Sequence, residues 1–403
     1  MRKILQIILA CFIVSSFMMG CKKGEGTPNI LEVFEEKQED VYAMWFSYLD
    51  YQEILQNRNE ESFREGVEEI VQNLEELGIN TIYLHAVAFT DALYESSILP
   101  ESNSLPNITY DPLKIFIEIA HAHKIKVEAW VNPLRSFKIE EMEYYKEDSI
   151  LKEWYLYNDE RLRPVGERYY LNPAYPEVRS FVCSFVKEIL DNYEVDGIHM
   201  DDYFYPDEAS IAFDAYIYGE ENYKNPISLE EFRMNAVNKL VKEIHDTVKR
   251  KSQDITFGIS VAGNYDVDIQ LYYADPVQWK NEGTIDYLIP QVYWGFEHPT
   301  KPYTSTLKEW REMMDNSKVK VYSGLAAYKI GTEDFYADGS QEWIENSDMI
   351  ARQIETAFEL DCPGFAIFRY NSLYHPSPEV EGNVEKEIIN IKNEISHHKG
   401  VSE

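Results

Sequence analysis

Cysteine is scarce in this chain. Four stand among 403 residues, and two of them, Cys11 and Cys21, fall within the first 21. The other two, Cys183 and Cys362, lie far apart in apolar contexts, so a disulfide framework is excluded and buried free thiols are expected. CXXC and HEXXH spacings are missing, and His121 and His123, two apart on a helical stretch, fall on different faces. Metal chemistry is left without a ligand set, and no metal or other cofactor is expected. A Gly-x-Ser-x-Gly turn, the serine-hydrolase signature, is missing too. Positive charge is in short supply: 38 Lys and Arg against 71 Asp and Glu give −33. That balance argues against nucleic acid as a partner and against electrostatic adsorption to anionic lipid. No repeat of solenoid length occurs, and nothing in the pattern calls for an obligate protein partner.

Apolar runs of membrane-spanning length are missing as well. The longest, Ile4 to Met19, reaches roughly 24 Å as a helix, short of a hydrocarbon core of ~30 Å. With Arg2 and Lys3 before it, the run reads as a secretion signal over residues 1–20. It ends in Met18-Met19-Gly20-Cys21, which resembles a bacterial lipobox and implies lipidation of Cys21 and a membrane anchor in the cell envelope. An ordinary cleaved signal peptide is the alternative. Residues 21–40, rich in Lys, Glu, Gly and Pro, suit a flexible tether. Residues 41–396 are left for one folded domain.

Along that domain, short apolar runs and amphipathic stretches alternate strictly. Strands are expected at Ala43 to Ser47, Thr81 to Val87, Lys126 to Val131, Gly197 to Met200, Thr256 to Ala262, Tyr287 to Trp294, Lys320 to Ala326 and Gly364 to Tyr370. Helices between them include one with Phe63, Val67, Ile70, Val71, Leu74 and Leu77 on a single face. Another is opened by Asp111-Pro112, a cap followed by proline at the first helical position. Eight strands with interposed helices point to an α/β fold, a (β/α)8 TIM barrel with long loops after strands 3 and 4. An open doubly wound sheet is the runner-up, weakened because no glycine-rich phosphate loop follows the first strand. The two long loops, roughly 132–175 and 203–228, are crowded with aromatic residues, which can stack on sugar rings or form small cores of their own.

The chemistry concentrates in Asp196 to Pro206, DGIHMDDYFYP. A buried strand ends there on two adjacent carboxylates, Asp201 and Asp202, followed at once by Tyr203, Phe204 and Tyr205. In a barrel, strand C-termini form the active face. Because side chains alternate along a strand, His199 and Asp201 share one side, as do Gln291 and Tyr293, and Glu128, Trp130 and Asn132. His85, Asn264, Trp294 and Arg369 stand at other strand ends. Each alone could be a satisfied structural group; together they read as a site for carboxylate-driven cleavage of a glycosidic bond.

Several segments resemble the glycosyl-hydrolase-like 10 family, barrel lipoproteins of bacteria related to the α-amylases. They are MWFS (Met44 to Ser47), DALY and ESSILP (Asp91 to Pro100), and DPLKIFIEIAHAHKIKVEAWVNPLR (Asp111 to Arg135). The list continues with YLNPAYPEVRSFV (Tyr170 to Val182), DGIHMDDYFYP, YLIPQVYW (Tyr287 to Trp294) and GFAIFRY (Gly364 to Tyr370). The resemblance implies a glycan substrate, a polysaccharide or a peptidoglycan strand. Gly197-Ile198-His199-Met200-Asp201 is similar to the amylase fourth-strand pattern, implying that Asp201 is nucleophile or oxocarbenium stabiliser. Two departures from the family pattern, Glu128 in place of a histidine and His85-Ala86-Val87 in place of Gln-Val-Arg, put substrate contacts near strands 2 and 3 in doubt. The acid/base stays open, with Asp202, Glu128, Glu297 and Asp91 as candidates in that order, because Ser260 to Asn264 offers no carboxylate. A catalytically inactive glycan-binding lipoprotein is the alternative function, and an envelope scaffold with no sugar ligand a third.

Overall fold

The structure, a computed structural model, describes residues 39–400 apart from 146–148, 208 and 338. The expected signal at 1–20, the tether up to residue 38 and Cys21 lie outside those residues.

Eight parallel strands close into a ring: β1 (Val41–Phe46), β2 (Thr81–Val87), β3 (Lys126–Val131), β4 (Gly197–Met200), β5 (Thr256–Ala262), β6 (Tyr287–Gln291), β7 in two pieces (Lys320–Val321 and Ser323–Ala326) and β8 (Gly364–Phe368). Each pairs with its successor, and β8 pairs back to β1 with Val41 opposite Gly364, so no edge is left. Around the ring lie α1 (Glu60–Leu77), α2 (Pro112–Ala122), α3 (Pro176–Asn192), α4 (Leu229–Lys251), α5 (Pro276–Glu282), α6 (Tyr303–Met313), α7 (Met349–Glu359) and α8 (Glu381–His398). The helix ends follow the sequence. Asn59 accepts the Ser62 N–H at the start of α1, and Gly78 ends that helix in the left-handed region at φ 92°. Asp111 accepts the Lys114 N–H ahead of Pro112 at the start of α2.

Both faces of the strands are buried, which is why they read as continuous apolar runs. Outward residues such as Met44, Ile82, Leu84, Val127, Ile198 and Ile259 pack under the helices. Inward residues form a separate cluster of Ala43, Trp45, Tyr83, Trp130, Tyr287, Ile289, Tyr322 and Ala366. β6 stops at Gln291 rather than Trp294, and β8 at Phe368 rather than Tyr370, so the last residues of both expected strands belong to the loops above them.

The long segment after β3 is more ordered than a loop. It folds a three-stranded antiparallel sheet, Arg135–Lys138, Arg168–Leu171 and Leu162–Val165, with a helix at Ile150–Leu156. Its Trp154 is buried against Phe181 of α3, whereas Tyr157 is exposed. The segment after β4 carries a helix at Ala215–Lys224 and is pinned by a buried ion pair in which Arg233 Nε donates to Asp214 Oδ2 at 2.7 Å. Asp214 Oδ1 also accepts from Asn172 Nδ2 and Tyr205 Oη, so one carboxylate ties both insertions to α4.

A polar column runs down the barrel interior. Trp45 Nε1–H donates to His199 Nε2 at 3.1 Å, which places the imidazole proton on Nδ1. That proton points to Tyr287 Oη at 2.9 Å, and Tyr287 donates to Glu128 Oε2 at 2.5 Å, while Thr256 Oγ1 donates to Oε1 at 2.8 Å. Two glycines make room. A Cβ on Gly258 would come within 2.1 Å of the Tyr287 ring, and one on Gly197 within 2.6 Å of the Glu128 carboxyl. Burial drives the His199 pKa down to about 3 and the Glu128 pKa up from 4.5 to about 7.

The Glu128 shift has a defined sign. A carboxyl whose folded pKa is raised keeps its proton where the unfolded chain has lost it, so stability falls as pH climbs from about 4.5 to 7 and is flat above. The shift corresponds to on the order of 3 kcal/mol. In denaturant titrations at pH 5 and pH 8, Glu128→Gln is expected to shrink the loss of stability between the two pH values by about that amount. An unchanged loss would contradict the assignment.

Candidate active site

Above that column the strand ends surround a cavity of about 400 Å³. Its floor is Trp45, with Trp130 and His85 beside it; His85 stacks on Trp130 at 3.7 Å between centroids and 11° between planes. Ser47, Tyr48 and Leu49 form one wall, Tyr203 and Tyr272 another, and Tyr293, Tyr328 and Phe368 a third. The carboxylates in the lining are Asp201 and Asp202.

β4 ends after Met200, which delivers both aspartates to the rim without a turn between them. Asp201, 6% exposed, is held through a single oxygen. Its Oδ1 accepts the Asp202 N–H at 2.8 Å and Gln291 Nε2 at 3.2 Å, with Ser260 Oγ at 3.4 Å. The two carboxyl groups lie within hydrogen-bonding reach of each other, and two negative charges at that distance do not coexist cheaply. Burial, then the charge of Asp201, pushes the Asp202 pKa well above the ordinary 3.8. Asp201 is raised by burial too, but the Asp202 hydrogen bonds and the Arg135 charge oppose the rise. Of the two, Asp202 is therefore the carboxyl that keeps its proton to the higher pH, the logic of a shared-proton dyad.

His85 is neutral, because burial and the nearby Arg135 charge hold its pKa well below 6.5. Its Nδ1 accepts the Tyr48 N–H at 3.2 Å, so the proton sits on Nε2, where no partner is found among the described residues. Asn132 is fixed by Trp130 Nε1, which donates to its Oδ1 at 3.1 Å.

The cavity thus gathers Asp201, Asp202, His85, Trp130, Asn132, Tyr203, Gln291 and Tyr293 from the residues expected at the site. Six others stand elsewhere. Glu128 and His199 face inward as expected but one layer too deep, closed in beneath Trp45 and bonded within the column. Tyr205 is buried at 1% exposure, its hydroxyl spent on Asp214. Asn264 caps the turn after β5 by accepting the Asp266 N–H. Trp294 packs on His298. Arg369 lies on the outer side of the β1 loop, bound to Asp50 at 3.1 Å and Glu53 at 3.0 Å, and so positions the wall that carries Tyr48. Of the other acid candidates, Asp91 accepts from Ser102 Oγ and the Phe89 N–H at a neighbouring cavity, and Glu297 is tied through its backbone to Glu342. Sequence reasoning missed Trp45, Arg135, Ser260, Tyr272 and Tyr328. Strand parity signals Trp45 and Ser260, but the others sit past strand ends, where parity no longer applies.

The chain is similar to proteins named as glycosyl hydrolases. Glycosyl hydrolase DigH of Escherichia coli O6:H1 is 28% identical over 344 residues, 77% of this chain and 76% of the relative. Glycosyl hydrolase YngK of Bacillus subtilis is 30% identical over 291 residues, 65% of this chain and 55% of the relative. Among solved structures, the PgaB (BpsB) glycoside hydrolase domain from Bordetella bronchiseptica aligns with a TM-score of 0.55 at 12% identity, over 87% of this chain and 98% of that domain. An endo-1,4-beta-mannanase from Rhizomucor miehei aligns at 0.56 and 10%, over 90% and 96%. At such identities these two likenesses establish the barrel alone. The family model of glycosyl hydrolase-like 10 proteins matches residues 41–346, most of the chain, and the protein belongs to that family.

Proposed function

We propose that this protein is an extracytoplasmic glycoside hydrolase that cleaves O-glycosidic bonds in a polysaccharide or a peptidoglycan glycan strand. The observation that carries the reading is the Asp201–Asp202 pair, two adjacent carboxyls in a cavity walled by aromatic rings. Asp202, whose pKa burial and the Asp201 charge push well above the ordinary carboxylate range, is the general acid that protonates the departing glycosidic oxygen. Asp201, the less strongly raised of the pair, stabilises the positive charge that grows on the anomeric carbon. The tryptophan and tyrosine faces bind the apolar sides of the sugar rings.

The contact between the two carboxyls bears on the mechanism. Retaining enzymes separate their carboxyls by about 5 Å and inverting ones by roughly 6.5–9.5 Å, so that the groups stand across the bond from each other. A touching pair acts from one side, which favours the stabiliser role of Asp201 over attack by it. The same contact, with no third carboxylate in the described lining, favours a second reading, a glycan-binding protein without catalysis.

One assay separates the two. Release of reducing ends from a glycan panel by wild type is expected to fall roughly 10²–10⁴-fold in Asp202→Asn. A substrate with a good aryl leaving group should restore much of that loss, whereas Asp201→Asn stays impaired on both. Binding without release by wild type would select the second reading. The location is tested separately: Cys21→Ser is expected to move the protein from the membrane fraction to the soluble one, and an unchanged distribution would contradict the lipid anchor.

A further inference from the structure

Arg135 stands just past β3, as the first residue of the inserted sheet, and its side chain lines the same cavity as Asp201 and Asp202. Its guanidinium carbon lies 4.3 Å from the centroid of Tyr203 and 5.0 Å from that of Phe89, so the planar group is held by two rings. Its bonding is unlike that of any other arginine among the described residues. Each of the others gives its side chain to a carboxylate or a carbonyl. Arg135 makes neither an ion pair nor a side-chain hydrogen bond among the described residues, and its Nε is fully buried without a partner. The chain holds 71 acidic residues, and two acidic groups line this very cavity. The Arg135 Nε is closed off, so it is the two terminal amines of the fork, neither hydrogen-bonded among the described residues nor among the buried unpartnered atoms, that are left to meet a ligand's acceptor.

We propose that Arg135 is a carboxylate-binding subsite, and that the glycan this cleft takes carries a carboxylate on the sugar beside Asp201 and Asp202. The proposal rests on the reading of the cleft as a glycan site. A carboxylate is planar and matches the guanidinium fork with two parallel hydrogen bonds. It carries one charge, which one guanidinium neutralises; a doubly charged phosphate would leave an excess facing Asp201. Two sugar chemistries present a carboxylate: a uronic acid, whose carboxylate is C6 of the ring, and an N-acetylmuramic acid free of peptide, whose lactyl ether ends in one.

The test measures binding by calorimetry to the full chain carrying Asp202→Asn, so that turnover does not consume the ligand. The ligands are oligouronates, peptide-free peptidoglycan oligosaccharides, and each after reduction of its carboxylates to alcohols. At least one acidic ligand is expected to bind about tenfold or more tightly than its reduced form, with the advantage shrinking as salt rises. Adding Arg135→Gln should abolish the advantage and leave affinity for the reduced ligand unchanged, while Arg135→Lys keeps part of it and shows that the fold tolerates the site. Whichever acidic ligand shows the advantage identifies the source of the carboxylate. Reduced and acidic glycans that bind alike, or an Arg135→Gln effect equal on both, would overturn the subsite and leave the glycan site standing. No binding by any glycan would overturn both.

Discussion

The barrel interior of this protein is organised by one buried carboxyl group. Glu128 sits at the bottom of a chain of hydrogen bonds that climbs through Tyr287 and His199 to the indole of Trp45, and every donor in that chain has a single acceptor to satisfy. Orphaning any member would cost more than its bond contributes, because the group left behind could not reach water. The chain therefore fixes side-chain orientations from four different strands at once. It also dictates sequence nearby: Gly258 and Gly197 are small because Tyr287 and Glu128 occupy the space their side chains would fill.

The cleft inherits its order from below. Trp45 is the top of the column and the floor of the cavity, so the surface a ligand rests on is set by contacts it never touches. The end of β4 is set in a similar way. Asp201 is oriented by a neighbouring backbone N–H and by side chains of β5 and β6, all directed at Oδ1. Groups held that way lose little entropy when a substrate arrives. The walls are less regular, supplied by loops that are themselves tied down. Arg369 clamps the β1 loop through Asp50 and Glu53, and Asp214 clamps the two insertions through Arg233 and Asn172.

Much of this was legible in the sequence, and the failures share a physical cause. Strands buried on both faces read as short apolar runs, so all eight were found, along with the cap at Asp111-Pro112. Parity along a strand identifies which side a residue faces, and the structure puts Trp130, Asn132, Asp201 and Gln291 in the lining of the cavity. Parity carries no depth, however, so Glu128 and His199 looked like members of the site while lying one layer beneath it. Past a strand's last residue even direction is lost, which explains Asn264, Trp294 and Arg369. The inserted sheet escaped notice because its four-residue strands, such as Arg168–Leu171, are too short to show a period. Arg135 is one residue of that sheet, and nothing local marks it as a cavity residue. Only its missing partners do, and those are visible in three dimensions alone.

The central claim is that Asp202 keeps its proton to a higher pH than Asp201. Carbon-13 NMR of the aspartate carboxyls, followed against pH in wild type, Asp201→Asn and Asp202→Asn, tests it directly. In wild type the pair should show a titration well above the ordinary aspartate value of 3.8. That step should vanish in Asp202→Asn and move down in Asp201→Asn, where the repelling charge is gone. Carboxyls that all titrate near the ordinary value, or a high step untouched by either substitution, would contradict the account.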